Sequence, residues 1–227
     1  MKIAVLGTGM VGRTHAGKLS QLGYEVVVGT RVVIATKLKD KPDMMGNPPF
    51  SAWLKDNKKV KLENYSDAAK QGEIIINAVK GEVVVETLKS LEQELSGKIL
   101  IDISNPLDFS KGMPPTLFVS NIDSLGEQIQ KVLPRTKVVK TLNTLNAYLQ
   151  VDPNQLANGD HDIFISGNDA EAKAKVVGYL KEWYGWKRVI DLGDITTARG
   201  AEMVLPLWLR LFSTLKKPMF NIKVVTE

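Results

Sequence analysis

The sequence predicts an α/β protein built on a Rossmann-type, doubly wound and mostly parallel sheet, with a small C-terminal helical extension. Three observations carry this. A glycine-rich turn, Gly7-Thr8-Gly9-Met10-Val11-Gly12, closes an apolar run that opens at residue 2. Short apolar runs recur along the chain and are continuous, as strands covered on both faces must be. Helical patterns fill the intervals between them.

The first strand is predicted over residues 2–6 and the first helix over 10–22, with Val11, Leu19 and Leu22 at helical spacing. A G-x-G-x-x-G that ends a strand and begins a helix is the dinucleotide-binding fingerprint. Gly7 permits the tight turn, Gly9 lets backbone approach a pyrophosphate, and Gly12 lets helix and sheet pack closely. The helix start then offers free N–H groups and a partial positive charge to phosphates. The second strand, 25–30, ends at Thr30-Arg31. An NAD binder places a carboxylate there for the ribose hydroxyls. Here a guanidinium able to pair with a 2′-phosphate stands instead, with Lys37 within two helical turns, so NADP is favoured over NAD.

Residues 39–49, with Pro42, Gly46, Pro48 and Pro49, read as an irregular insertion. A weak strand at 60–63 and a helix at 66–71 lead to the strand 73–79, the helix 82–94 and the strand 98–103. A long loop from Asn105-Pro106 to Pro115 follows, then a helix at 121–132 and a strand at 136–140. Beyond Pro153 the pattern gives a strand (162–167), a helix (170–183), a strand (187–192) and a last helix (197–216). We divide the chain into an NADP-binding domain, 1–150, and a C-terminal part, 151–227, that completes an acceptor pocket. Ligands of such sheets bind beyond the carboxyl ends of the strands. Chemistry is therefore expected in the loops 7–12, 30–31, 78–82, 104–107 and 141–147. The last helix, with Ala201, Met203, Val204, Leu205, Leu207, Trp208, Leu209, Leu211 and Phe212, leaves almost no polar face. Such a helix is expected to be buried on all sides, in part against a second copy in a homodimer.

The 227 residues carry a formal net charge of +5 and contain no cysteine. Absent cysteine excludes disulfides and thiolate chemistry and fits a cytoplasmic setting. Neither a signal peptide nor a membrane-spanning run is evident. The basic run Lys55, Lys58, Lys59 and Lys61 lacks interleaved aromatics, so it reads as a solvated face and no nucleic-acid partner is expected. With two histidines, a His/Cys metal cluster is impossible, and no metal site is predicted. His15 is expected at the surface of the first helix, and His161 has no evident partner. Lys80, in Ala78-Val79-Lys80-Gly81, is placed against the cofactor and not read as a general base. With no acid–base pair in sight, the pattern points to hydride transfer to an acceptor that needs no proton abstraction.

These residues resemble the F420-dependent NADP reductases and, more distantly, the N-terminal domains of the six-transmembrane metalloreductases. The resemblance runs nearly end to end. It rests on 7–12, Gly29-Thr30-Arg31, Ser104-Asn105-Pro106-Leu107, Thr141-Leu142-Asn143-Thr144-Leu145-Asn146-Ala147, and Thr197-Ala198-Arg199 through Glu202 into Leu205-Pro206-Leu207. It implies that Thr8, Thr30 and Arg31 hold the 2′-phosphate and that Ala78, Val79 and Ala147 flank the nicotinamide. It further implies that Asn143, Thr144 and Leu145 line the side of a deazaflavin (F420) or flavin. No side chain then does covalent chemistry, and catalysis is the placement of two rings face to face. The chain departs from the family pattern at Asn143, where a histidine is usual, at Asn146, where a proline is usual, and at Val32-Val33-Ile34. These departures leave NADP binding intact and keep a flavin or quinone-like acceptor open. A second reading, an NADP(H)-binding sensor or scaffold without turnover, shares the cofactor site and lacks the acceptor pocket.

Overall fold

The computed structural model describes residues 1–42 and 46–227. Its central strand is β1 (Lys2–Leu6), followed by α1 (Met10–Gln21) and β2 (Glu25–Thr30). In β1, Ile3 and Val5 face one layer of apolar side chains, and Ala4 and Leu6 face the other; all four are fully buried. That is why its sequence is continuously apolar.

The chain continues through α2 (Val33–Leu38), α3 (Phe50–Asp56), β3 (Lys61–Asn64) and α4 (Tyr65–Gln71). Next come β4 (Ile74–Asn77), α5 (Gly81–Lys89), α6 (Glu92–Leu95), β5 (Ile99–Asp102) and a short hairpin, β6 (Leu107–Asp108) with β7 (Thr116–Leu117). After α7 (Leu125–Val132) come β8 (Lys137–Thr141), α8 (Ala147–Val151), β9 (Asp162–Ser166), α9 (Ala170–Tyr179), β10 (Arg188–Gly193) and α10 (Ala198–Leu215). The eight long strands form one sheet in the order β3-β2-β1-β4-β5-β8-β9-β10. All pair in parallel except β8 with β9. The order reverses between β1 and β4, which places a ligand crevice at the carboxyl ends of those strands.

The predicted elements are present with shifted ends. The helix expected at 82–94 is interrupted at Leu91, whose backbone leaves the helical region. The helix expected from 121 starts only after Ser124, whose side chain accepts from the Glu127 N–H and donates to its carboxylate. The pair departs from a capping box in that the carboxylate takes the serine hydroxyl, while the Ser124 N–H donates to Asp123 Oδ1. Within the stretch expected to be irregular, 39–49, residues 43–45 lie outside the described residues; α3 follows directly after it, a helix with no counterpart among the expected elements. The strands β9 and β10 extend the same sheet.

α10 buries Ala198, Ala201, Glu202, Leu205 and Leu209, while Met203, Leu207 and Leu215 are exposed. Within one subunit it is thus buried along one face, and that face includes a charge. Trp208 stacks on Phe212 and Phe220, so the returning tail covers part of the opposite side. The tail then runs beside β9: the Asp162 N–H donates to Ile222 O, and the Val224 N–H to the Asp162 carboxylate.

Candidate cofactor and acceptor site

The glycine turn has the geometry its sequence predicts. Gly7 has φ +119°, and a Cβ there would overlap Ala78 O; a Cβ on Gly12 would overlap Gly7 O. Only glycine fits either position. Gly9 differs. Its backbone is extended, at φ −71° and ψ −177°, and no protein atom lies within 4 Å of where its Cβ would be. The protein itself does not require glycine at that position. The open space is what a pyrophosphate against the turn needs. Gly9 is also the N-cap of α1, with no side-chain cap and no carboxylate in the first turn, so its N–H groups and dipole face that space unopposed.

A cavity of about 580 Å³ opens here, bounded by Thr8, Gly9, Thr30, Arg31, Tyr65 and Lys80. Its charged lining residues are Arg13, Arg31, Lys39, Lys41 and Lys80; no Asp or Glu is among the described ones. A cavity lined by one sign of charge concentrates polyanions. Thr30 is held by a 2.8 Å hydrogen bond between its hydroxyl and that of Thr36. Lys37 lies outside this lining, and Lys39 and Lys41, beyond the end of α2, supply the charge it was expected to add. Arg13 was missed as well. It lies one helical turn after Gly9 and donates from Nη1 to Pro48 O at 2.7 Å. Met10 lines a neighbouring cleft between α1 and α3.

A second, smaller cavity of about 220 Å³ adjoins the first through Lys80 and is bounded by Val11, Ala78, Val79, Asn105, Leu107 and Phe109. Its walls are mostly apolar, as a neutral ring requires. Lys80 is exposed, pairs with Glu82 at 3.4 Å and sits 5.8 Å from the centre of the Phe109 ring. The loops that bound this cavity are locked together: a Cβ on Gly81 would overlap Asn105 O. Pro106 is buried, and its carbonyl accepts from the Phe118 N–H at 3.0 Å.

Beneath these loops lies a buried charged network that sequence reading missed. Lys140 Nζ is 2.8 Å from Asp102 and 2.9 Å from Glu202, and donates to Ser104 O. Asp102 also accepts from Asn77 Nδ2, the Ser104 N–H and the Ser104 hydroxyl, while Asn77 Oδ1 accepts from the Val79 N–H. Glu202 caps α7 by accepting from the Leu125 and Gly126 N–H groups at 2.8 and 3.0 Å. Burial opposes the Lys140 charge, yet the carboxylates of Asp102 and Glu202 outweigh it and hold the ammonium above its ordinary pKa. The network fixes residues 78–79 and 104 to the sheet from below.

In the loop 141–147, Asn143, Thr144, Leu145 and Ala147 are all buried, and none of them is among the lining residues of the two cavities. Asn143 and Asn105 form a reciprocal pair: Asn105 Nδ2 donates to Asn143 O at 2.8 Å, and Asn143 Nδ2 to Asn105 Oδ1 at 3.0 Å. One of the two Asn143 amide hydrogens is thereby used within the protein. Asn146 caps α8, its side-chain oxygen accepting from Tyr148 and Leu149. Ala147, the first residue of that helix, keeps its N–H outside this cap.

His15 is not at the surface. It is fully buried, with Nε2 2.9 Å from Gln150 Oε1 and Nδ1 2.7 Å from the Tyr184 hydroxyl. Gln150 donates from Nε2 to Leu142 O and Leu145 O at 2.8 and 3.1 Å, which fixes its Oε1 as the acceptor toward His15. His15 therefore carries its proton on Nε2 and accepts from Tyr184 at Nδ1. Burial lowers its pKa to about 4 against the opposing Gln150 hydrogen bond, so the ring is neutral. His161 also has partners: it donates from Nε2 to Pro153 O and accepts from Asn221 Nδ2. No metal-binding cluster is found among the described residues, and no helix among them is long and apolar enough to cross a membrane.

Residues 2–106 match the family described as NADP oxidoreductase, coenzyme F420-dependent. The chain is 32% identical to the F420-dependent NADP reductase of Methanocaldococcus jannaschii over 99% of this chain and 98% of that one. Metalloreductase STEAP3 of Rattus norvegicus is 29% identical over 91% of this chain, which spans only 38% of that protein. A crystal structure provisionally assigned to an F420-dependent NADP reductase of an Arthrobacter species superposes with a TM-score of 0.95, at 55% identity and full coverage of both chains. With the glycine cradle, the cation-lined cavity and the strand order all in place, the chain belongs to the family of F420-dependent NADP reductases, oxidoreductases that use NADP(H).

Proposed function

We propose that this NADPH-dependent reductase passes reducing equivalents between NADP(H) and a deazaflavin, F420. The observation that carries the reading is the pair of adjoining cavities, one whose charged lining residues are all cations and the other mostly apolar. Thr8, Thr30, Arg31, Lys39 and Lys41 would hold the 2′-phosphate, and Gly9 with the start of α1 the pyrophosphate. Ala78, Val79 and Ala147 would flank the nicotinamide. Asn143, Thr144 and Leu145 would face the acceptor, with residues 151–227 walling that side: the tail touches the loop where Asn146 Nδ2 meets Pro218 O at 3.3 Å. Bound NADPH supplies a hydride, and with one proton from solvent the balance is NADPH + H⁺ + F420 giving NADP⁺ + F420H₂. The protein's part is to hold two rings in register and exclude water, which is worth orders of magnitude in rate without an acid or base. The names of the most similar relatives support F420 as the acceptor.

The test is NADPH oxidation measured in parallel against F420, FMN, FAD, a quinone and a ferric chelate. F420 alone should turn over efficiently. Turnover confined to another acceptor would reassign the substrate, and tight NADPH binding with no turnover at all would favour a sensor. Arg31→Ala should weaken NADPH by about 10- to 100-fold, the range for a charge-assisted hydrogen bond, and leave NADH almost unchanged. The ridge Met203, Leu207 and Leu215 on α10 supports a homodimer through that helix, as an apolar stripe of this kind favours a self-complementary contact.

A further inference from the structure

We infer that His15 is a positioning residue for the acceptor loop, acting through Gln150 from within the cofactor-binding helix. The inference rests on the reading above that residues 141–147 face the acceptor. His15 sits on α1, the helix whose N-terminus meets the phosphate cavity. Gln150 sits on α8, immediately after the loop. A side-chain amide rotates freely unless something fixes which end is oxygen. Here the His15 ring and the two loop carbonyls agree on a single orientation, oxygen toward His15 Nε2–H and NH₂ toward Leu142 O and Leu145 O.

Those two carbonyls bracket Asn143 and Thr144. Leu142 has φ +60°, a left-handed conformation that a non-glycine residue holds only when its surroundings enforce it. The Gln150 bonds are that enforcement. Tyr184 closes the chain: with the His15 proton on Nε2, its hydroxyl donates to Nδ1. The sequence of constraints is Tyr184, His15, Gln150, loop. A buried histidine must direct its N–H somewhere. This one spends its only N–H on the residue that shapes the acceptor wall.

Three variants test it: His15→Leu, which removes both bonds; His15→Gln, which can place an amide N–H near the Nε2 position; and Ala147→Leu, which fills the ring space. Each is purified as the full chain and assayed with NADPH and F420, with NADPH affinity measured separately by calorimetry. His15→Leu should lower kcat/KM for F420 by about 10- to 100-fold, the cost of displacing a reacting group by about 1 Å, while NADPH affinity stays within about twofold. His15→Gln should restore most of that loss. Equal kinetics for folded His15→Leu and wild type, or a loss that His15→Gln does not restore, overturns the role of His15. Ala147→Leu separates the two readings. If it turns over F420 normally, the loop does not face the acceptor and the underlying site assignment fails instead.

Discussion

Lowering the pH from 7 to 5 should destabilise this protein through His15, and by an amount the structure sets. The ring is fully buried, so its charged form is disfavoured in the folded state and its pKa falls from 6.5 to about 4. In the unfolded chain His15 is solvated and takes its proton near 6.5. Between those values the unfolded state binds more protons than the folded one, so stability falls as pH falls. The stabilisation is fully present above 6.5 and is lost progressively as pH drops toward 4. The whole shift corresponds to about 3 kcal/mol, of which about 2 kcal/mol is lost by pH 5. That is a large share of the 5–15 kcal/mol typical of a whole domain. The carboxylates with lowered pKa, such as Glu127 and Asp169, lose their contributions at lower pH still. Urea titrations of the wild type and His15→Gln at pH 7, 6 and 5 isolate the effect, because the carboxylate terms cancel between the two proteins. The wild-type stability should decline more steeply by about 2 kcal/mol over this range. Parallel pH profiles would refute the argument and mean that His15 is hydrated in solution.

The remaining predictions concern the cradle, the buried charges and the surface of α10. Gly9→Ala should leave the free protein's melting temperature nearly unchanged, since no protein atom lies near the added methyl, yet weaken NADPH by roughly tenfold or more, the penalty for overfilling a close contact; equal binding would move the pyrophosphate elsewhere. Lys140→Met should cost about 3–5 kcal/mol in a urea titration, because it strands Asp102 and Glu202 as unpaired buried carboxylates. A loss under about 1 kcal/mol would show that one of them takes up a proton instead. Leu207→Asp should convert a dimer to a monomer in light scattering while the isolated subunit stays folded, as Leu207 is 55% exposed; a native chain already monomeric at micromolar concentration removes the dimer.

What was legible in the sequence is what the backbone decides locally. The tight turn at Gly7, the contact at Gly12 and the open space at Gly9 follow from a strand handing over to a helix within six residues. Thr30-Arg31 was legible for the same reason, since the end of β2 has only one place to lie beside β1. Arg13 was within reach, because a residue one helical turn after Gly9 shares its side of α1. Lys39 and Lys41 were not, as their position depends on the path of a loop that no periodicity describes. Lys37 looked better placed only because it lies on the helix.

The misreadings share one physical cause: a polar residue among apolar ones was judged by its neighbours in sequence. His15 looked like a helix-surface residue because its partners, Gln150 and Tyr184, lie 135 and 169 positions away. Glu202 vanished into an apolar helix for the same reason. Yet Asp102 and Lys140 carried a usable signal. Asp102 breaks the apolar run 99–103, Lys140 follows Val138-Val139, and the two strands prove to be adjacent. A charge cannot stay ionised in such a place without a partner. Two opposite charges in neighbouring buried strands therefore imply an ion pair once the strand order is known. Asp102 ends its strand and holds Ser104 in the loop that follows, so the pair lies under the ligand crevice: the carboxyl ends of parallel strands are where loops must be held still. The polar groups that break an apolar pattern are thus the ones that join the fold to the site.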